Sequence, residues 1–244
     1  MKLNAFAGRN RKEIFRDPLS LLFGFGLPLF LLGLVRVVNS SIPGSGPEIF
    51  RIENFAPGVA VFSFAFISLF AGMLIAKDRM SSFLTRLFAS PLTPKDYLLG
   101  YALPLLPMAL LQCAVCFAAA IFMGLQPNIN ILYATLSLLP AAIFFIAFGL
   151  LLGSIFTDKQ VGGFFSIFAQ LAALGSGMWF DLALVGGTVK AIAYALPFSH
   201  AFEAAKAALA GNFFALPAHL AWVVAYALGT GVCAALVFRK KMKQ

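Results

Sequence analysis

The chain has 244 residues, 61% of them hydrophobic and only 11% charged, and a formal net charge of +9. A mean hydropathy of +0.92 excludes an ordinary soluble domain. The basic residues lie in short islands between apolar runs, not on a binding module, so the charge gives no reason to expect a nucleic-acid partner.

Crossing a bilayer takes about 20 apolar residues in a helix. Runs of that length cover 19–38, 57–76, 98–124, 132–156, 161–180 and 217–238. Period-two alternation is absent, so the expected fold class is an all-α membrane protein. It should have six transmembrane helices in a single transmembrane domain over residues 1–244.

Residues 1–17 differ in character. Leu3, Phe6, Ala7 and Ile14 share one helical face, and Arg9, Arg11, Lys12, Glu13 and Arg16 fill much of the rest, which predicts an interfacial amphipathic helix. Asp17-Pro18 should end it and start the first span, with Pro18 in the first turn, where its missing N–H costs little. The apolar run that follows is too long for a signal peptide, and no small-residue cleavage site stands out.

The second span leads into residues 77–96. There Phe83, Leu84, Leu87 and Phe88 form an apolar stripe at helical spacing, stopped by Ser90-Pro91 and Thr93-Pro94. Such a short amphipathic helix suits either the membrane surface or a groove in a soluble partner. The third and fourth spans form a hairpin around the polar turn Gln126-Pro127-Asn128-Ile129-Asn130. Pro104 and Pro107 should bend the third span and Pro140 the fourth. Gly149 and Gly153, like Ala225 and Gly229 in the last span, have the spacing that permits close helix approach.

Within residues 181–216, the stretch Leu182 to Phe202 is apolar enough to suggest a seventh span. Gly186, Gly187, Lys190, Pro197 and His200 argue instead for a short re-entrant outer segment. Lys and Arg give the orientation. Lys2, Arg9, Arg11, Lys12, Arg16, Lys77, Arg79, Arg86, Lys95, Lys159, Arg239, Lys240, Lys241 and Lys243 fall on one side. The other side has Arg36, Arg51, Lys190 and Lys206, matched by Glu48, Glu53, Asp181 and Glu203. Both termini are therefore expected in the cytoplasm. Trp179 and Trp222 should mark the outer interface, and Tyr97 and Tyr101 the inner one.

The chemistry is read mostly from what the spans lack. There is no phosphate loop for ATP and no zinc-protease motif, so no cofactor and no metal are expected in this chain. His200 and His219 have no clustered carboxylates. Cys113 and Cys116 sit in mid-span, where apolar surroundings disfavour the thiolate that redox chemistry needs. Gly175-Ser176-Gly177 lacks the strand-to-helix context of a serine nucleophile, and close packing explains it better. Ion-coupled carriers place ionisable groups within the membrane. Here the span interiors hold Gln112 and Gln170, whose default role is an interhelical hydrogen bond. If the chain is a pump, its energy should come from a partner outside the membrane.

These motifs, in this order, resemble the permease subunits of ABC-2 type exporters. Arg16-Asp17-Pro18 looks like the family's junction between interfacial helix and first span, and Pro28 falls where a proline is common. Asp78-Arg79, Leu84, Leu87, Ser90-Pro91-Leu92 and Leu98-Leu99-Gly100 are similar to its loop after the second span. Gly153-Ser154, Asp158-Lys159-Gln160, Ser176-Gly177 and Leu196-Pro197-Phe198-Ser199-His200 match its later stretches. Asp78 replaces the usual glutamate, Ser81-Ser82 the usual Gly-Thr, and Tyr101 the usual lysine; Trp179-Phe180-Asp181 lacks the usual proline.

The resemblance implies two permeases bound to two copies of a separate ABC ATPase that carries ATP and Mg²⁺. Together they would export a hydrophobic or amphipathic compound across the bacterial cytoplasmic membrane. Coupling to the ATPase would run through Asp78, Arg79, Phe83, Leu84, Leu87, Phe88, Ser90 and Pro91, and Phe62, Phe66, Phe168 and Gln170 are candidates for the substrate pathway. The permease would not itself be an enzyme. The alternative is a non-catalytic membrane scaffold or assembly factor, and an intramembrane enzyme is disfavoured by the missing catalytic constellation.

Overall fold

The computed structural model describes residues 2–42, 48–81 and 93–241. The described residues are helical, without strands. The helices are α1 (Lys2–Arg16), α2 (Pro18–Leu21), α3 (Leu27–Ser41), α4 (Ile52–Met80), α5 (Pro94–Phe122), α6 (Asn130–Ser137), α7 (Leu139–Ile155), α8 (Asp158–Gly175), α9 (Leu182–Val185), α10 (Gly187–Ala195), α11 (Pro197–Leu209) and α12 (Leu216–Lys241).

Five stretches are long and apolar enough to cross a membrane: Leu22–Ser41, Ile52–Met80, Asp96–Phe122, Asn130–Ile155 and Leu216–Lys240. The expected fifth span, 161–180, is where structure and expectation part. It corresponds to α8, which opens on Asp158-Lys159-Gln160 and closes at Gly175, where the chain turns through Gly177 at φ +80°. Its polar first turn and Gln170 dilute its apolar character, although it runs between the same two ends of the bundle as its neighbours.

α4 is the central post, with 83% of its apolar stretch buried, against 22% for Leu22–Ser41 and 17% for Leu216–Lys240. It packs on α5, α7 and α8, and α7 in turn packs on α12. At the α4–α7 crossing the backbones touch. A Cβ at Gly149 would overlap the Ser68 carbonyl oxygen, and one at Gly153 would overlap that of Gly72. Small residues permit this approach, which brings many weak dispersion contacts into range. The matching spacing in α12 does no such work, because a Cβ at Gly229 would meet nothing within 4 Å.

The first span is interrupted by a π turn, Leu22–Gly26, that the sequence did not suggest. A π turn widens the helix and displaces carbonyls from their usual partners. The Gly24 carbonyl accepts a 2.7 Å bond from Gln112 Nε2 on α5, so Gln112 has the interhelical role expected of it. Pro140 does more than bend the fourth span: the helix breaks at Leu138 into α6 and α7. α5, by contrast, continues through Pro104 and Pro107.

Residues 181–216 hold α9, α10, α11 and the turn into α12, and none of α9, α10 or α11 is long enough to cross a bilayer. Gly186 at φ +63° and Gly187 at φ +55° link α9 to α10 in a left-handed geometry open to glycine at little cost. The segment returns to the end of the bundle where it began, with Asn130 Nδ2 donating to the Leu209 carbonyl at 3.1 Å.

Candidate coupling site

α1 lies across the end of the bundle where α4 finishes and α5 begins. Its buried face is Phe6, Asn10 and Ile14, spaced four apart. Asn10 on that face was not anticipated. It is fully buried because its Nδ2 donates to the Gly100 carbonyl at 3.0 Å. Gly100 is needed there, since a Cβ would run into the Phe6 ring. Phe6 packs edge-on against Tyr97 and Tyr101, with ring centroids 6.2 and 5.0 Å away. Both tyrosines are fully buried, and α1 covers them.

At this junction an ion pair joins the helices. Arg9 donates through Nη1 and Nη2 to the Asp78 carboxylate at 2.5 and 2.8 Å, and Tyr101 donates its hydroxyl to Asp78 Oδ2 at 2.9 Å. The Asp78 side chain is only 4% exposed. Arg9 keeps a 2.7 Å contact with Glu13 and is 37% exposed, so it bridges a buried and a solvated carboxylate. A carboxylate near a helix C-terminus is unfavourable, and the guanidinium offsets it.

Arg79 takes the other face of α4. It donates to the carbonyls of Gly153 and Ser154 and reaches that of Ile155, closing the last turn of α7. A cation is favourable there because those carbonyls have no partner inside the helix. The adjacent Asp78 and Arg79 thus fasten α1, α5 and α7 to α4 within one helical turn.

α5 begins with a capping box, in which the Thr93 N–H donates to Asp96 Oδ2 at 2.8 Å and Thr93 Oγ1 accepts from the Asp96 N–H at 3.4 Å. α1 ends at Arg16, which is exposed, and α2 starts at Pro18, while Asp17 Oδ2 accepts from Ser20 Oγ at 2.6 Å. Phe83, Leu84, Leu87, Phe88, Ser90 and Pro91 lie outside the described residues.

The candidate pathway residues do not form one line. Phe66 is buried with Phe62, Phe23 and Phe165 around it. Phe168 is buried in another aromatic cluster, stacked on Phe148 at 4.1 Å and near Phe144, Phe145 and Phe198. Gln170 is exposed. A cavity of about 450 Å³ lies instead at the end remote from α1, lined by Glu48, Asn54, Phe180, Asp181, Phe202, Glu203 and Lys206 among others. Cys113 and Cys116 are buried free thiols. Ser176 Oγ donates to the Ala173 carbonyl and accepts from the Met178 N–H, a structural role. Among the described residues no group of three or more potential ligands could hold a metal.

The family model for the ABC-2 type transporter matches residues 1–210. The chain belongs to the ABC-2 transporter family. It is thus a membrane component of a transporter, and α12 lies beyond the matched residues. A comparison with curated proteins finds no match. Within this ABC-2 chain, Tyr101 stands where the resemblance leads one to expect lysine, and it supplies the third hydrogen bond to the Asp78 carboxylate, after the two from Arg9.

Proposed function

We propose that the chain is the permease subunit of an ATP-driven exporter. It moves a hydrophobic or amphipathic compound, such as a drug, lipid, peptide or lipid-linked glycan, out across a bacterial cytoplasmic membrane. A second permease copy completes the pathway, and a separate ABC ATPase binds ATP and Mg²⁺. Six helices cross the bilayer, α8 included, and both termini are cytoplasmic.

The double fastening at Asp78 and Arg79 carries this reading. It stands at the point where the chain leaves α4 for residues 82–92, which contain the apolar stripe. A push on that loop would reach α1 and α5 through Asp78 and α7 through Arg79. The helices would then move as a unit, since interlocked helices shift as rigid bodies more readily than they deform. Phe83, Leu84, Leu87 and Phe88 dock in the ATPase, with Ser90-Pro91 ending the docked helix. Arg16, Asp17 and Pro18 pass the motion from α1 to the first span.

Leu87→Asp puts an uncompensated charge in that contact, which is strongly unfavourable. Co-purification of the cognate ATPase and export should both be lost at unchanged permease level in the membrane. Full ATPase recovery would mean that the stripe rests on lipid, which favours a scaffold role. For orientation, Lys12→Cys and Asn212→Cys are placed in a chain whose three cysteines are replaced; both parent residues are exposed. An impermeant reagent added outside intact cells should label position 212 and spare position 12; the reverse pattern would invert the proposed topology.

A further inference from the structure

Where α11 meets α12, at the end of the bundle remote from α1, the chain's two histidines touch. Nδ1 of His200 and Nδ1 of His219 are 2.8 Å apart. Nε2 of His200 lies 3.0 Å from the Tyr194 carbonyl oxygen. A carbonyl oxygen can only accept, so His200 Nε2 carries a proton. In neutral His200, Nδ1 is then a bare acceptor, and His219 must donate its own Nδ1–H. That arrangement survives a proton added at Nε2 of His219. A second proton, on Nδ1 of His200, sets two N–H groups face to face at 2.8 Å and removes the acceptor. The contact therefore tolerates the first proton and breaks with the second.

We propose that His200 and His219 form a proton-operated latch, holding the α10–α11 segment against α12 and releasing it when the solution at that end of the bundle turns acidic. Few polar contacts compete with it. Tyr226 of α12 donates to the Ala195 carbonyl at 2.7 Å, and the Trp222 ring lies 5.3 Å from that of His200.

The surroundings oppose the second proton. Burial, first of all, lowers the proton affinity of His200. The bond to the Tyr194 carbonyl opposes this without cancelling it, the neighbouring His219 lowers the affinity further, and Glu203 has the smallest effect, a raising one. At this end of the bundle the other charged or titratable groups on adjoining elements include Lys190 and Tyr194 on α10, Lys206 on α11, Tyr226 on α12, Asp181 before α9, Glu53 on α4 and Tyr133 on α6. Lys190 sits 5.9 Å over the Tyr194 ring, and the Tyr194 hydroxyl donates to Glu203 at 3.4 Å, so the Glu203 carboxylate is engaged with Tyr194. Because His200 has a lower pKa in the closed contact than when free, the closed form is fully favoured above about pH 6.5 and loses ground as pH falls below it.

Trp179→Phe leaves Trp222 as the only tryptophan, a reporter beside the latch. The full chain in lipid nanodiscs, titrated from about pH 8 to about pH 5 across the histidine range, should show Trp222 becoming more open to acrylamide quenching as pH falls. In that background His219→Asn should abolish the transition, since a carboxamide can turn to donate to neutral His200 or to accept from its charged form. His200→Asn should also abolish it, while Glu203→Gln should leave it in place. A flat titration with both histidines present would overturn the latch. So would a transition that persists in both asparagine variants, or one that disappears in Glu203→Gln.

Discussion

Arg9→Ala should destabilise the protein more than Asp78→Ala, although each removes one half of the same ion pair. The Asp78 side chain is 4% exposed, and without Arg9 it keeps only the Tyr101 hydroxyl, so a nearly buried charge is left without its countercharge. Breaking a buried pair in that way costs on the order of 3 kcal/mol. Arg9 is 37% exposed and holds Glu13 at 2.7 Å, so after Asp78→Ala it still has water and a carboxylate. That loss should be nearer about 1 kcal/mol, plus the stranded Tyr101 hydroxyl. The double variant should therefore be more stable than Arg9→Ala alone. Thermal unfolding of the detergent-solubilised chain, monitored by size exclusion, tests the order. If Asp78→Ala proved the worse of the two, Asp78 would owe its importance to a contact other than Arg9.

Gly149→Leu should be the most damaging packing change, and Gly229→Leu close to silent. At Gly149 the obstacle is the Ser68 carbonyl oxygen, part of the α4 backbone, which cannot swing aside as a side-chain tip can. Ordinary overpacking costs about 1–3 kcal/mol, and pushing two helices apart along their contact line should exceed that range. At Gly229 nothing lies within 4 Å of an added Cβ, so a side chain there starts into open space. Both glycines lie in small-xxx-small pairs of the same spacing, so the contrast separates spacing from actual approach. The amount of monodisperse chain extracted from membranes reports it directly, and equal recovery of the two variants would mean that the α4–α7 crossing is looser than the backbone contact implies.

Apolar length and charge distribution belong to the chain's covalent order, and they were enough to predict an all-helical membrane domain. A run of about 20 apolar residues has few alternatives to a helix in lipid, whatever its neighbours do. The motif order was enough to suggest the ABC-2 family, and the 1–210 match agrees. Local punctuation was legible too: Pro18 starts α2, and Gly186-Gly187 interrupts the segment before the last span. Thr93 with Asp96, and Thr157 with Gln160, are capping boxes readable at a spacing of three.

Partnership between distant residues was not legible. Nothing in the sequence pairs Asn10 with Gly100, and only the fold brings the Gly100 carbonyl, 90 positions away, within reach of it. Arg9 is one of several basic residues outside the apolar face of α1, and only because α1 lies across α4 and α5 does it reach Asp78. The two histidines, 19 positions apart, meet only because α11 doubles back against the start of α12. Hydrophobic periodicity reports which side of a helix avoids water. It is silent on which polar group another helix presents there, because that depends on crossing angles and offsets set by the packing of all the helices together.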